Sequence, residues 1–336
     1  MRKTKKILYL DQFAVSNMYD AAPASIWEQL RTTIQEKVSK GVLSCPMSLE
    51  GLYETLGRSN RDSIGNPDSD YSKRIIEQYN FYRELAHGTA FYGYEEIAAT
   101  EIIMLLRQGK INPIKSIYIH KSPFAQIDIS DIYEKGHVFN EENHKYFSEL
   151  FEGVNKIREY VRHIDNDKSA KQRKLADPLF VIKAIAHIKI KDYIEGLKEF
   201  YQKGYIKVRS INNGTYESLN KVDVLIYNLT KKRINRKETE KLIEEFETNG
   251  FNRIPSMNIH NCLSADIALC NKRQVPNDEI DLDRAAIGLR ISDYFFADND
   301  KKLSIEKYKL NEKYHTKIYS GKKDSITSLI KELSSI

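Results

Sequence analysis

Four groups of acidic residues stand out because each follows a short apolar run or lies on a predicted helix next to one. Asp11 ends the run ILYL of residues 7–10. The other groups are Glu50 with Glu54, Asp281 with Asp283, and Asp298 with Asp300. Carboxylates that converge on one place repel one another unless a cation neutralises them. Oxygen ligands without cysteine or clustered histidine favour Mg²⁺ or Mn²⁺, and such an ion activates water for phosphoryl chemistry.

Each of these acids also has a purely structural interpretation. The structural interpretations are a turn or helix cap at Asp11, an exposed helical position at Glu50 or Glu54, an N-cap at Asp281, and a turn at Asp298 and Asp300. The prediction of a metal site therefore depends on whether the fold brings the four groups to one place.

The first part of the chain is typical of an α/β sheet. After the strand ILYL, a helix is predicted over 25–39, with Ser25 as its N-cap and Gly41 just past its end. The stretch GVLSCPM predicts a second buried strand, and SLEGLYETLG predicts a short helix that carries Glu50 and Glu54 on one face. Alternating strands and helices indicate a parallel sheet, and ligands bind at the carboxyl ends of parallel strands.

The middle of the chain is predicted to be mostly helical. A polar loop over 57–70 precedes it, and SIYI at 116–119 is predicted to be a short strand. Apolar spacing at three and four residues predicts helices over 73–86, 94–108, 140–163, 178–203, 216–232 and 236–249.

After Gly250 the α/β pattern returns. MNIHNCLSADIALCNK and DLDRAAIGLRI predict helices, and in the second of them Asp281 and Asp283 are expected to open the helix. DYFFAD and HTKIYS predict strands, and a closing helix is predicted with Asp324 or Ser325 as its cap. We therefore expect one α/β domain built from both ends of the chain, with a large helical insertion between its halves.

This arrangement resembles the PIN-like nuclease family. Members have a first strand that ends in Asp, here Asp11 in ILYLDQF, and a Glu on the helix after the next strand, here Glu54 or Glu50. They also have an acid at the start of a later helix and a buried strand that ends in acid, here within DLDRAAIGLRISDYFFADND. Asp281 precedes Asp298 by the same number of residues as Asp283 precedes Asp300. The spacing therefore does not decide which of these two pairs matches the two acids of the family. Ala297 stands where the family has Thr or Ser.

The resemblance implies a PIN-like domain over 1–58 and 255–336, with 59–254 as a helical insertion that binds substrate or a partner. It implies hydrolysis of phosphodiester bonds, usually in RNA, by Mg²⁺ or Mn²⁺ held by Asp11, Glu54, Asp281 or Asp283, and Asp298 or Asp300. The family includes bacterial toxin ribonucleases and RNA-processing enzymes. Some PIN-like domains have lost activity and act as scaffolds, so an inactive interaction protein is one alternative.

A second alternative rests on REYVRH, residues 158–163. Arg158 and His163 resemble the R-x4-H element of HEPN ribonucleases, which are helical and need no metal. In that chemistry the His transfers a proton at the ribose 2′-hydroxyl and the Arg stabilises the phosphate.

Composition and charge fit these functions. The net charge is +6, and its cations are clustered within 2–6, 168–174 and 231–237, which is compatible with nucleic acid as a partner. No stretch has the ~18 apolar residues of a membrane span, so we expect a cytoplasmic protein without membrane contact. The three widely spaced cysteines, Cys45, Cys262 and Cys270, predict buried free thiols. A homo-oligomer or a regulatory protein bound through the insertion is compatible with the sequence.

Overall fold

A computed structural model of the chain describes residues 5–48, 70–122, 178–203, 221–269 and 276–336. Within these ranges the strands are β1 (Lys6–Leu10), β2 (Leu43–Ser44), β3 (Thr89–Phe91), β4 (Ile119–Lys121), β5 (Tyr294–Phe296) and β6 (Lys317–Tyr319). The helices are α1 (Gln12–Tyr19), α2 (Ile26–Ser39), α3 (Asp70–Ala86), α4 (Tyr94–Gln108), α5 (Pro178–Lys203), α6 (Lys221–Lys231), α7 (Arg236–Asn249), α8 (Pro255–Leu269), α9 (Pro276–Ile291), α10 (Asn299–Lys307), α11 (Leu310–Lys313) and α12 (Lys323–Ser334). The segment Lys115–Tyr118 forms a 3₁₀ helix.

The central sheet is parallel and has the strand order β2-β1-β5-β6. In the pairing of β1 with β5, Tyr9 lies opposite Phe295 and Leu10 lies opposite Phe296. The chain moves from β1 to β2 on one side and later places β5 and β6 on the other. The strand order therefore reverses between β1 and β5, which is where open parallel sheets bind ligands. The predicted α/β architecture with a central parallel sheet is confirmed.

The two middle strands of this sheet, β1 and β5, are buried on both faces, as expected of a parallel sheet. Leu8, Leu10 and Phe296 join a core with residues of α1, α2, α3 and α12. Because side chains alternate along a strand, Tyr9 and Phe295 point to the opposite face. There the ring of Tyr9 stacks on Phe91 with centroids 5.2 Å apart.

The described residues divide into two compact units. The sheet unit comprises those within Met1–Tyr92, Lys115–Phe147 and Ile287–Ile336, and the helical unit comprises those within Gly93–Ile114 and Ser148–Ala286. These boundaries differ from the expected split into 1–58 with 255–336 and 59–254. Helix α3, β3 and β4 belong to the sheet unit, because Tyr79, Tyr82 and Leu85 pack in its core. Helix α8 belongs to the helical unit.

The helical unit has its own core, to which α4, α5, α6 and α7 contribute. Leu105, Leu197, Leu229 and Phe246 are all buried in it. The predicted helices 94–108, 178–203 and 236–249 are confirmed, and the helix predicted over 216–232 is described as α6. Asn235 begins α7 with a reciprocal capping box, in which its side chain accepts from the Glu238 amide and the Glu238 side chain accepts from the Asn235 amide.

Three local predictions were wrong. Residues 116–118 form a 3₁₀ turn, so the strand begins only at Ile119. Helix α9 begins at Pro276, whose fixed φ suits the first helical position, so Asp281 and Asp283 lie inside the helix and do not open it. The N-cap of α12 is Lys322, and neither Asp324 nor Ser325 takes that place. The helices predicted over 48–57 and 140–163 lie outside the described residues.

None of the helices in the described ranges combines the length and apolar character that crossing a membrane requires.

Candidate functional site

Asp11 and Asp298 lie at the carboxyl ends of adjacent strands. The amide of Asp11 donates to the carbonyl of Phe296 at 3.0 Å, so Asp11 continues the pairing of β1 with β5. Asp298 follows β5 after one residue, Ala297, whose amide donates to the carbonyl of Tyr319 at 3.0 Å. The fold therefore brings these two predicted site residues to the two sides of the point where the strand order reverses.

Both carboxylates also cap helices. The Oδ1 of Asp11 accepts from the amide of Gln12 at 2.6 Å, where α1 begins. The Oδ1 of Asp298 accepts from the amide of Lys301 at 2.7 Å, where α10 begins. The helix-cap interpretation is thus correct for Asp11, and Asp298, which was interpreted as a turn residue, caps a helix as well. A cap uses one of the two carboxylate oxygens, so capping and metal binding are compatible.

Aromatic packing fixes the backbone beside Asp11. The ring of Phe13 lies 5.6 Å from that of Phe296 and 6.3 Å from that of Trp27. The backbone at Gly321 approaches closely, because a Cβ there would meet the Phe13 ring at 3.2 Å. These contacts pack α1 and α2 against β5, which holds the amino end of α1 in place.

The remaining predicted acids have other surroundings. Asp300 is exposed in the first turn of α10. Asp281 Oδ1 lies 3.8 Å from Arg284 Nη1. Asp283 is buried in the helical unit, where its Oδ1 accepts from Lys221 Nζ at 2.6 Å. Glu50 and Glu54 lie outside the described residues.

The donors at the sheet edge fit a hard divalent cation. Asp11 and Asp298 offer carboxylate oxygens, which Mg²⁺ and Mn²⁺ prefer. Within the described ranges, no three Asp, Glu, His or Cys side chains lie close enough together to hold a metal ion. The described residues thus supply two of the predicted ligands, and the metal site stays a prediction.

One acid that the sequence prediction missed ties the opposite end of the same two strands together. Asp293 Oδ2 accepts from the amide of Ile7 at 2.9 Å, and its Oδ1 lies 3.4 Å from Lys6 Nζ. Lys115 Nζ lies 3.6 Å from the same Oδ1 and donates to the carbonyl of Ser292 at 2.6 Å. The pKa of Lys115 lies below its ordinary value, because the effect of burial outweighs the opposing effect of the Asp293 carboxylate. The available sequence signal was the acid directly before YFF.

A second missed cluster lies in the helical unit around His260. Its ring contacts Lys189, Lys221 and Asp283, with atoms between 3.1 and 3.3 Å apart. The His and Ser264 stand four residues apart on α8, hence on one helical face, and Ser264 Oγ lies 3.4 Å from His260 Nδ1. That spacing was the only signal in the sequence, because the lysines come from two other helices.

The cations of 231–237 surround the turn between α6 and α7. Lys231 Nζ lies over the Tyr227 ring at 4.4 Å from its centroid, and the Arg236 guanidinium lies over the Tyr201 ring at 4.6 Å. We call these cations and the two tyrosines the basic aromatic patch. Cations interleaved with aromatic rings suit phosphates and bases of a single strand. Of the other predicted clusters, 168–174 lies outside the described residues, as do Arg158 and His163.

A groove of about 640 Å³ lies beside α5 in the helical unit. Its floor includes Ile190 and Phe251, and its rim includes Lys183, Lys191 and Glu195. Lys191 and Glu195 form an ion pair on the surface with 3.9 Å between Nζ and Oε1.

Comparison with known proteins gives no relative on which to base a function. No family model matches the chain, and no curated protein or solved structure matches it significantly.

Proposed function

We propose that this protein is a metal-dependent nuclease of the PIN-like kind, acting on RNA in preference to DNA. The observation that carries the proposal is the position of Asp11 and Asp298 at the ends of adjacent parallel strands, on the two sides of the strand-order reversal. Two acids far apart in sequence follow neighbouring strands there, at the sheet edge where α/β proteins bind ligands. The resemblance of ILYLDQF and of the segment ending in Asp298 to PIN-like nucleases supports the same reaction.

The chain's own residues have defined tasks in this proposal. Asp11 and Asp298 hold the ion with the carboxylate oxygens that do not cap helices, and the resemblance adds Glu54 or Glu50 to this pair. A bound Mg²⁺ or Mn²⁺ lowers the pKa of a water and neutralises charge on the phosphate. The caps of α1 and α10 keep both carboxylates in fixed orientations, so they need not reorganise when substrate binds.

The basic aromatic patch supports nucleic acid as the partner. Arg233 and Lys237 extend it with exposed charge, and Tyr227 is 46% exposed. Lysine and arginine contacts to phosphates release counterions, so binding should weaken as salt increases. The patch belongs to the helical unit, which agrees with the predicted substrate-binding role of the inserted helices.

The test is cleavage of a panel of RNA and DNA oligonucleotides over a titration of Mg²⁺ and Mn²⁺, for the native protein and Asp11→Asn. Asn also caps helices well, so this variant keeps the fold. We expect metal-dependent cleavage that EDTA stops and that falls at least about 100-fold in Asp11→Asn, since several kcal/mol of transition-state stabilisation is lost.

Other outcomes would support the alternatives. Cleavage that persists in EDTA and disappears in His163→Ala would favour the HEPN-like reaction. A protein that cleaves no polynucleotide and binds another protein tightly would be a scaffold.

A further inference from the structure

The His260 cluster brings two ammonium groups to the same imidazole ring. Lys189 Nζ lies 3.1 Å from Nδ1, and Lys221 Nζ lies 3.3 Å from Nε2. The ring is 4.9 Å from that of Tyr94, over which Lys221 Nζ also lies at 5.1 Å. The cluster therefore concentrates positive charge around a side chain that is only 4% exposed.

The hydrogen-bond directions in this cluster follow from the lysines. An ammonium group only donates, so Lys189 donates to Nδ1 of His260. On the other side of the ring, Nε2 lies 3.3 Å from Asp283 Oδ1. Asp283 thus fixes the ring, and the same Oδ1 accepts from Lys221 at 2.6 Å. Lys189 also donates to Ser264 Oγ at 2.9 Å.

These groups line a cavity of about 140 Å³, whose polar wall contains Lys189, Lys221 and His260. The lining also includes the apolar side chains of Val222, Phe251 and Met257 and the carboxylate of Asp192. A water takes about 30 Å³ of liquid volume, so the cavity has room for several waters or for one tetrahedral oxyanion.

We propose that this cavity binds a phosphate group. Its polar wall contains the ammonium groups of Lys189 and Lys221, each with three N–H donors, and a phosphate offers acceptor oxygens in several directions. Asp283 is engaged with Lys221 and His260, and Asp192, which also lines the cavity, is exposed to solvent that screens its charge. The proposal stands independently of the cleavage reaction, because the cavity lies wholly within the helical unit.

The experiment titrates the full chain with inorganic phosphate in EDTA by calorimetry, at constant ionic strength kept with NaCl. We expect binding of one phosphate, weakened at least about tenfold in Lys189→Met, since a charged hydrogen bond is removed. Lys241→Met is the matched control, because Lys241 is an exposed lysine of α7 outside the cavity. Lys189→Arg keeps the charge and should retain more affinity than Lys189→Met.

A readout on the native protein covers the case in which Lys189→Met does not fold. Phosphate should shift the ring resonances of His260, which the variant His260→Gln assigns. A 5′-ribonucleoside monophosphate and a short oligoribonucleotide form the other arms. Tighter binding of either than of inorganic phosphate identifies a nucleotide or a strand as the source of the phosphate.

Two results would overturn the proposal. One is an absence of heat and of His260 shifts with all three phosphate probes. The other is equal phosphate affinity in folded Lys189→Met and Lys241→Met, which would make the binding a general effect of charge.

Discussion

Asp298 and Asp300 are two residues apart in sequence, but the structure gives them different surroundings. Asp298 is half-buried at the end of β5 and caps α10, whereas Asp300 points from the first turn into solvent. The sequence did not show whether Asp298 or Asp300 is the predicted ligand, because nothing in ADNDKK indicates which of the two acids follows the strand directly. The cap geometry favours Asp298 as the ligand.

We therefore expect Asp298→Asn to reduce the proposed cleavage at least about 100-fold, and Asp300→Asn to change it less than about threefold. Both variants remove one charge and keep a side chain of the same size. Cleavage rates under single-turnover conditions test the pair. Equal losses of cleavage rate in the two variants would contradict the assignment of Asp298, and not Asp300, as the metal ligand.

Cys45 gives a second prediction at the residue scale. The expected free, buried thiols are confirmed for Cys45 and Cys262. Complete burial raises the pKa of Cys45 far above its ordinary value, and Lys5 opposes this only weakly. Since the thiolate is the reactive form, alkylation of Cys45 by iodoacetamide at pH 8 should be at least about tenfold slower in the folded protein than in urea. Peptide mapping measures the two rates, and equal rates would show that Cys45 is accessible.

At the scale of elements, the close approach of α9 to β5 is testable at Gly288. A Cβ there would lie 2.8 Å from two ring atoms of Phe295, and that ring is held edge-on by Tyr9 with centroids 5.2 Å apart. Gly288→Ala should therefore destabilise the protein by about 1–3 kcal/mol despite the better helix propensity of alanine. Denaturant unfolding gives the free energy. A stabilised variant would mean that the Phe295 ring moves easily.

Asp293 is the corresponding test of how β1 and β5 are joined. Asp293→Ala removes the acceptor of the Ile7 amide and the partner of the partly buried Lys115. We expect a loss of about 2 kcal/mol in the free energy of unfolding. The hydrogen bond to the charged Asp293 carboxylate is lost, and the Ile7 amide is left without its acceptor. Asp324→Ala, at an exposed position in α12, is the control. A loss no larger than in the control would show that the strand pairing does not depend on Asp293.

The sequence predicted elements better than it predicted their ends. Apolar periodicity located α4, α5 and α7, because each has one buried face. The start of α9 was missed, since the polar residues before Asp281 look like a loop, whereas Pro276 begins the helix. At the site, Asp11 and Asp298 were predicted because they follow buried strands. The His260 cluster was not predictable, as its lysines come from α5 and α6 and meet only in the folded unit.

At the scale of the whole molecule, the unit boundaries follow packing and not sequence composition. Helix α8 was assigned to the α/β domain because it follows Gly250, but Met257 is buried in the core of the helical unit. Periodicity shows that a helix has an apolar face and does not show which core receives it.

The basic aromatic patch makes a prediction at this scale. Replacing Lys231, Arg233 and Lys237 with Ala should weaken RNA binding and reduce the slope of log K against log salt by about 2, as expected for three lost phosphate contacts to a single strand. Fluorescence anisotropy over a salt series measures it. The control replaces Lys322, Lys323 and Lys331, which are exposed on or next to α12. Equal changes of slope in the patch variant and the control variant would show that RNA binding depends on net charge and not on this patch.

The most direct test of the central claim measures metal binding without cleavage. Electron paramagnetic resonance of Mn²⁺ counts free ions in titrations of the native protein, Asp11→Asn, Asp298→Asn and the exposed control Asp324→Asn. The account expects Mn²⁺ binding that weakens at least about tenfold in each of the first two variants and is unchanged in the control. Mn²⁺ affinity that is the same in all four proteins would contradict a metal site held by Asp11 and Asp298.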